Sequence, residues 1–141
     1  MKIMTIGALL LATTVSTTSM SLFTATAANA DSCWNHNGSI MRLKASGKNR
    51  WFYYENPRPG LSVSPGTLLF DGSNNGGHYS GNARVFSRFN PDAPLKYHVE
   101  GPVSHNQTRV TMRGTREVWR AGQPTGRHKT DTLVFTYQYQ C

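Results

Sequence analysis

Turn-forming residues interrupt this chain at intervals of about 8–12 residues, which is typical of short antiparallel strands. Asn56–Gly60 reads Asn-Pro-Arg-Pro-Gly and predicts a loop, because proline removes a backbone donor and suits neither a helix nor a central strand. Gly72–Gly77 predicts a hairpin loop, Gly114 a break and Ala121–Lys129 another loop. The expected strands are Ile40–Lys44, Arg50–Glu55, Thr67–Asp71, His78–Ser87, Leu95–Glu100, Thr108–Arg113, Thr115–Arg120 and Asp131–Gln140.

The last expected strand shows the clearest alternation. Leu133, Phe135, Tyr137 and Tyr139 share one face, and polar or smaller residues occupy the other. One buried face and one face in water favour an antiparallel sheet. No segment keeps a helical period. We therefore predict an all-β fold: a single small antiparallel barrel, up-and-down, with seven or eight strands, and a β-sandwich as the alternative.

The first 30 residues have the features of an export signal. Lys2 gives a positive start, Ile6–Ala12 is an apolar stretch too short to span a bilayer, and Ala28–Ala30 (Ala-Asn-Ala) matches a cleavage site. We predict a signal peptide over residues 1–30 and cleavage between Ala30 and Asp31. The mature chain, residues 31–141, is then one β domain that is periplasmic or secreted, without a transmembrane segment.

The chain has two cysteines, and they lie near the two ends of the predicted mature domain. Cys33 is third in the mature chain and Cys141 is last. Two cysteines in an oxidising compartment usually pair, so we predict a Cys33–Cys141 disulfide that closes almost the whole domain. This bridge requires the first and last strands to be neighbours, as they are in a closed barrel or a sandwich.

The mature domain is strongly basic. Removing Lys2 with the signal leaves 14 basic residues against 7 acidic ones, a net charge of +7. Such a charge indicates acidic partners: an anionic polysaccharide, lipopolysaccharide or another anionic lipid surface, or an acidic protein, with nucleic acid less favoured. A solvated basic surface without a dedicated partner is the alternative. Short strands interrupted by Arg or Lys argue against an outer-membrane barrel.

Catalytic motifs are missing from the sequence. It has no His-Glu-x-x-His, Cys-x-x-Cys, Gly-x-Ser-x-Gly or Walker-type glycine loop. The acidic residues are scattered singly, and the histidines lack metal-ligand spacing, although His78 and His98 lie on consecutive expected strands. We expect no enzyme, no cofactor and no metal. A glycan hydrolase is the less favoured alternative, because two facing carboxylates leave no sequence motif.

Basic and aromatic residues interleave in two stretches, and these are the candidate sites. Arginine grips anions bidentately and aromatic faces stack on sugar rings, so the pattern favours an anionic glycan. In the alternative reading, the aromatics form the barrel core and the arginines its solvated face. The candidate glycan site is Arg113, Arg116, Trp119, Arg120, Arg127 and Lys129; the secondary patch is Arg42, Lys44, Arg50, Trp51 and Tyr54; the expected core contains Trp51, Tyr53, Phe70, Phe86, Trp119, Phe135 and Tyr137.

These patterns predict a non-enzymatic exported binding module for an anionic envelope or host glycan or lipid surface. The alternative is an envelope accessory or inhibitor that docks an acidic protein through the Tyr53–Pro59 loop. Three segments, Cys33–Ser39, Pro65–Phe70 and Leu133–Cys141, resemble small exported bacterial proteins with no assigned activity. That resemblance implies a bacterial envelope location and a cysteine-closed β domain, and it transfers no active site.

Overall fold

The computed structural model describes residues 31–141, so the predicted signal peptide lies outside the described residues. The described part folds into eight strands and contains no helix long and apolar enough to cross a membrane. The strands are β1 (Ser32–His36), β2 (Ser39–Ser46), β3 (Asn49–Asn56), β4 (Leu68–Asn75), β5 (His78–Val85), β6 (Leu95–Pro102), β7 (Arg109–Arg120) and β8 (Gln123–Gln140).

Each strand pairs antiparallel with its neighbour in sequence, and β8 pairs back onto β1. The sheet is therefore a closed up-and-down barrel of eight strands, which confirms the predicted fold class. Closure pairs β1 with both β2 and β8 and so removes the two free edges of an open sheet, although residues 123–135 of β8 extend beyond the pairing with β1.

A disulfide joins the two ends of the barrel wall. Cys33 lies in β1 and Cys141 directly follows β8, with 5.2 Å between their Cα atoms. The backbone N–H of Cys141 also donates to the Asp31 carbonyl at 3.1 Å. The bridge spans 108 residues of sequence, and the chain-entropy model gives a loop of that size an upper stabilisation of about 4–5 kcal/mol.

The core fills the middle of the barrel with aromatic side chains. Phe52 stacks on Phe135 with 4.0 Å between ring centroids, and Trp34 meets Phe52 edge-on at 6.0 Å. The largest side chains that are fully buried come from β2, β3, β4, β7 and β8, so the core ties together strands that are distant around the wall. They are Phe52, Phe70, Phe135, Met41 and Met112.

Gly114 was expected to end a strand, and this expectation was wrong. β7 runs unbroken from Arg109 to Arg120. A Cβ at Gly114 would collide with the His98 carbonyl oxygen, and one at Gly101 would collide with the Thr111 carbonyl oxygen. These glycines therefore let β6 and β7 approach closely, and they act as contact points within the sheet.

Two expected loops are also largely strand. Residues 72–75 belong to β4, and β8 begins already at Gln123, so the turns shrink to Gly76–Gly77 and Ala121–Gly122. Ala121 and Gly122 have φ values of 50° and 77°, as a two-residue type I′ hairpin requires. The sequence analysis also missed β1, whose Cys33-Trp34 pair anchors the disulfide and part of the core.

The residues of β3 that face the core are shifted by one position from the prediction. Trp51 and Tyr53 were expected in the core, but Phe52 and Tyr54 point inward, beside Leu43 and Met41 of β2. The prediction of one buried face on the last strand is confirmed in part, because Leu133 and Phe135 are buried. Tyr137 and Tyr139, on the same expected face, are 38% and 52% exposed.

Candidate functional site

One end of the barrel opens into a cavity of about 450 Å³, which we call the mouth cavity. The β1–β2 turn, the β3–β4 loop, the β5–β6 loop and the inner face of β8 contribute its lining. Its apolar wall includes Leu61, Leu69, Phe86 and Leu133. A cavity of this size accommodates a monosaccharide or an aryl acid, and it is within the usual range for ligand pockets.

Four cationic side chains line the mouth cavity: Arg58, Arg84, Arg116 and Lys129. Asp131 is the one carboxylate among its lining residues within the described part of the chain. Cations held beside a low-dielectric wall attract anions more strongly than cations on an open surface do. The mouth cavity is therefore suited to a ligand with a negative group.

Asp131 organises one wall of the mouth cavity. Arg116 Nε donates to Asp131 Oδ2, Lys129 Nζ lies 3.5 Å from Oδ1, and the Tyr97 hydroxyl donates to Oδ2 at 3.2 Å. Burial raises the pKa of Asp131, but the Arg116 hydrogen bond and the charges of Arg116 and Lys129 outweigh it, so the pKa is lowered. Asp131 thus stays ionised and fixes the Arg116 guanidinium in place.

Arg84 and Arg58 differ in how far their charges are already neutralised. Arg84 Nη1 donates to Asp71 Oδ1 at 2.6 Å, and its side chain is 12% exposed. Arg58 is exposed, and no carboxylate of residues 31–141 lies within 4.0 Å of its guanidinium. Its backbone N–H donates to Ser39 Oγ at 2.9 Å, which fixes the loop that carries it. Arg58 is therefore the cation most available to a ligand.

His36 contributes a neutral ring to the mouth cavity. Nδ1 lies 2.9 Å from the Val134 carbonyl, which assigns the proton to Nδ1, and Asn37 Nδ2 donates to Nε2 at 3.4 Å. The ring stacks on Phe135 at 4.5 Å. Burial and, to a smaller extent, the charge of Arg58 lower the pKa of His36, although the Val134 hydrogen bond opposes this shift.

A second cavity of about 280 Å³, the side cavity, lies between the β5–β6 loop and the β7–β8 hairpin. Asn90 Nδ2 donates to the Gly122 carbonyl at 2.9 Å and ties the loop to the hairpin. Trp119 lines this cavity, and its Nε1 is buried without a hydrogen-bond acceptor among residues 31–141. Arg116 lines both cavities, so the two adjoin.

The residues of the candidate glycan site do not form one patch. Arg116 and Lys129 line the mouth cavity, and Trp119 lines the side cavity beside it. The other three, Arg113, Arg120 and Arg127, are exposed outside both cavities, along the β7–β8 hairpin. The structure therefore brings half of this set together.

The secondary patch is divided in a similar way. Tyr54 lines the mouth cavity, whereas Arg50 lies at the opposite end and donates to the Gly47 and Asn49 carbonyls, each at 2.8 Å. Lys44, which pairs with Trp51 across β2 and β3, lies 5.8 Å above the Tyr53 ring.

Arg42 is the cation of the secondary patch whose charge is most fully neutralised by carboxylates. Its Nε donates to Glu55 at 2.7 Å and its Nη1 to Asp31 at 3.0 Å, and these contacts raise its pKa. Its charge is therefore matched by two carboxylates on the outer face of the barrel, and a ligand would have to displace one of them.

His78 and His98 lie on neighbouring strands but do not face each other, since His78 pairs with Pro102 and His98 with Asn82. Both approach Glu100. Their Nε2 atoms lie 3.9 Å and 3.5 Å from the same Glu100 oxygen, on the exposed outer face. Within residues 31–141 no group of three or more His, Cys, Asp or Glu side chains is arranged to hold a metal ion.

Sequence reasoning missed Arg58, Arg84, His36, Tyr97 and Asp131 as cavity residues. Arg58 had a usable signal, because a lone cation between two prolines of a fixed loop is held near one position. The others come from four strands or turns that are distant in sequence. These residues come together only because the barrel closes, and no local sequence pattern predicts that arrangement.

No protein-family model and no curated protein matches this chain. Among solved structures, it is similar to the crystal structure of a rhizavidin–biotin complex, with a TM-score of 0.54. The two sequences are 15% identical over 79% of this chain and 94% of the other. At this identity the likeness shows the fold alone, an eight-stranded antiparallel barrel.

Proposed function

We propose that this protein is an exported, non-enzymatic binding barrel that takes the anionic group of a small ligand, or of the end of an acidic glycan, into its mouth cavity. The observation that carries the proposal is the lining of that cavity by Arg58, Arg84, Arg116 and Lys129 against a single carboxylate, Asp131. The cavity lies at one end of a covalently closed barrel, where ion pairs with Asp71 and Asp131 hold Arg84 and Arg116 in place.

The cations have distinct roles in this proposal. Arg58 makes the direct contact, because its charge has no carboxylate partner among residues 31–141. Arg116 uses Nε and Nη1 for Asp131 and the Glu117 carbonyl, so Nη2 remains for a ligand. A charge-assisted hydrogen bond is worth about 1.5–3 kcal/mol, which corresponds to an affinity change of about 10- to 150-fold.

Two further observations support binding as opposed to hydrolysis. A two-carboxylate hydrolase needs a second acid facing Asp131, and the mouth cavity has Asp131 alone among its described lining residues. The fold likeness is to a barrel solved with a small ligand, biotin, and that supports a small-ligand barrel by analogy only. The ligand of this chain is proposed from its own cavity.

A broader anionic surface is the second candidate ligand. Arg113, Arg120 and Arg127 are exposed, and none lies within 4.0 Å of a carboxylate in the described part of the chain. These three cations would hold an envelope glycan or lipid surface, as the sequence predicts. Replacing all three with Gln then abolishes co-sedimentation with anionic polysaccharide or vesicles at physiological salt. Retention of the triple variant would contradict this candidate.

The primary proposal is tested by calorimetric titration of the oxidised protein with matched acidic and neutral ligands: glucuronate against glucose, and 4-phenylbutanoate against its amide. We expect one or both acids to bind and the neutral partners to bind at least tenfold more weakly. Arg58→Gln should weaken acid binding by about tenfold or more. Arg109→Gln, the same change outside the cavity on an exposed residue, is the control.

Equal binding of the acid and its neutral partner would overturn the proposal. So would an equal loss in Arg58→Gln and Arg109→Gln, because a general charge effect would then suffice.

A further inference from the structure

We infer that one edge of β8 is a docking site for an extended acidic segment of a partner protein, which pairs with β8 as an added antiparallel strand. The site, which we call the open edge, is the side of residues 128–133 that faces away from β7. This inference goes beyond the proposed function, because it rests on backbone groups of β8 and adds a macromolecular partner to the anion-binding cavity.

The open edge exists because β8 is longer than the strand that closes the barrel. β1 pairs with β8 as far as Thr136, and the chain then turns into β2. Residues 123–135 of β8 therefore have β7 on one side and no paired strand on the other within residues 31–141. Pairing with β7 is regular over residues 128–133, since the register shift of this hairpin lies nearer its tip.

Two contacts determine which backbone groups lie at the open edge. The Tyr137 N–H donates to the Thr108 carbonyl at 2.8 Å, on the β7 side. The Val134 carbonyl lies 2.9 Å from His36 Nδ1, on the β1 side. Hydrogen-bonding groups alternate between the two sides along an antiparallel strand, so odd-numbered residues of β8 bond to β7 and even-numbered residues direct their groups away from it.

Thr130 and Thr132 therefore present N–H and C=O groups at the open edge. Both residues are exposed, and no backbone hydrogen bond within residues 31–141 joins them to another strand on that side. Threonine is β-branched and favours the extended conformation that strand pairing requires. An exposed edge with free backbone groups is the feature that added peptide strands recognise in other complexes.

The open edge also borders the mouth cavity. Lys129 and Thr132 on β8 line this cavity, and so does His36 at the end of β1. Side chains on one face of an added strand would therefore point into the mouth cavity, whose lining includes Arg58 and Arg116. The added strand thus brings its inner side chains to the cations of the proposed anion site.

Charge favours an acidic partner over a second copy of this chain. Arg127 and Lys129 on β8 and Arg58 in the β3–β4 loop are exposed cations. Charged residues on an edge strand oppose pairing with a like strand, and a second copy would bring the same net charge of +7. A strand with carboxylates on its inner face has the opposite charge, so we assign the open edge to such a segment.

The first test uses a capped heptapeptide in which threonine and glutamate alternate, and the same peptide with glutamine for glutamate. We expect the glutamate peptide to bind about tenfold or more tightly, because its carboxylates meet Arg58 and Lys129. Equal binding of the two peptides would contradict the acidic chemistry of the partner.

Backbone methylation of the glutamate peptide tests strand addition itself. In an antiparallel pair, residues that exchange hydrogen bonds have their side chains on the same face, so the threonines of the peptide bond to β8 when its glutamates point into the cavity. N-methylation of the threonines should therefore abolish binding, and N-methylation of the glutamates should preserve it. Equal binding of the two methylated peptides, or the reverse preference, would overturn the inference.

Hydrogen exchange on the ¹⁵N-labelled wild-type protein needs no variant to fold. The glutamate peptide should shift the Thr130 and Thr132 N–H resonances downfield and slow their exchange with solvent. The N–H groups of Lys129 and Asp131, which already bond to β7, should change little and act as internal controls. Peptide binding without protection of Thr130 and Thr132 would overturn the inference.

A matched pair of variants separates the edge from the cavity. Thr130→Pro removes a backbone donor that β7 does not use, whereas Thr130→Val keeps that donor and the β-branched shape. We expect the proline variant to bind the peptide about three- to tenfold more weakly and the valine variant to bind it as wild type does. Because Thr130 does not line the mouth cavity, glucuronate binding should be the same in both.

The outcomes distinguish this inference from the proposed function. If glucuronate binds in an Arg58-dependent way but the peptide leaves the open edge unprotected, the inference is wrong and the proposed function stands. If the peptide protects the open edge and no small acid binds, the inference stands and the proposed function fails. Protection of Thr130 and Thr132 that rises with protein concentration alone would assign the edge to a second copy and overturn the inference.

Discussion

The two halves of the barrel share one wall but have opposite interiors. In the closed half, Phe52, Phe70 and Phe135 fill the lumen completely and are fully buried. In the mouth half, the same strands β3 and β8 present Tyr54, Asp131 and Lys129 around a cavity. Strand pairing is irregular toward the mouth half, because register shifts lie at Ile40/Met41, Phe52/Tyr53 and Glu117/Trp119. Backbone irregularities therefore contribute to the difference together with the side chains.

This contrast separates stability from function. Stacked aromatic rings in the closed half contribute packing and apolar burial, while the mouth half keeps polar groups that a well-packed core would exclude. Asp131 and His36, two of these polar groups, have hydrogen-bond partners that hold each of them in one protonation state. We therefore expect mutations in the closed half to change stability most, and mutations in the mouth half to change pH response and binding.

The largest expected effect is in the closed half. Phe52→Ala removes the ring that contacts Trp34, Phe70 and Phe135, and it should lower the free energy of unfolding by about 3–5 kcal/mol. Urea denaturation followed by tryptophan fluorescence measures this. Tyr54→Phe, in the mouth half of the same strand, should cost less than about 1 kcal/mol. Equal costs would contradict the division into two halves.

The next largest effect on stability is expected at Asp131. Asp131→Asn leaves Arg116 without its carboxylate, and it should destabilise the protein by about 2 kcal/mol, since both side chains are largely buried. The pKa of Asp131 is lowered in the folded protein, so its stabilisation is complete above the ordinary value of 3.8 and is lost as the pH falls through the lowered pKa. In the Asn variant, this loss below pH 3.8 should be reduced.

Protonation of His36 should have a smaller effect on stability, at pH values near 6.5. Its pKa is lowered from 6.5, so the unfolded chain binds a proton more readily than the folded one, and stability decreases as the pH falls below 6.5. His36→Phe keeps a ring against Phe135 and should flatten the stability profile between about pH 7 and pH 5. Thermal unfolding at a series of pH values is the measurement. An unchanged slope would assign the pH response to other groups.

The smallest effect on stability should be at Arg58. This side chain is exposed and has no ion-pair partner among residues 31–141, so Arg58→Gln should change the free energy of unfolding by less than about 0.5 kcal/mol. Thermal melts of Arg58→Gln and Arg109→Gln should therefore agree. A large destabilisation at Arg58 would mean that it supports the fold and would weaken its use as a binding probe.

The fold could be predicted because its signals are local. Turn residues mark many of the strand ends, and the predicted disulfide requires neighbouring terminal strands, as a closed barrel and a β-sandwich both have. The structure decides between these two, because β8 pairs back onto β1. The phase of β3 could not be read from β3 itself, because Trp51–Tyr54 is apolar or aromatic at four successive positions. The partner strand carries the answer: Met41 and Leu43 alternate with Arg42 and Lys44, and pairing fixes Phe52 inside.

The site was less predictable for a physical reason. Sequence proximity grouped Arg113, Arg116 and Arg120, but only Arg116 enters the mouth cavity. Alternation along the strand places Arg113 on the other face, and the register shift between Glu117 and Trp119 changes the phase before Arg120. Arg58 also lines the mouth cavity, from the β3–β4 loop, which is distant in sequence from β7. Residues from many strands line a cavity inside a barrel. The net charge of that lining is known only once barrel closure determines which residues face inward.

The most direct test of the account is to locate a bound anion on the protein. We would titrate ¹⁵N-labelled protein with glucuronate and with 4-phenylbutanoate and follow the backbone N–H and arginine Nε–H resonances. We predict shifts concentrated at Arg58 and Arg116, with little change at the Gly47 and Gly76 turns of the opposite end. Shifts confined to the exposed face of the β7–β8 hairpin, or to the closed end, would contradict it.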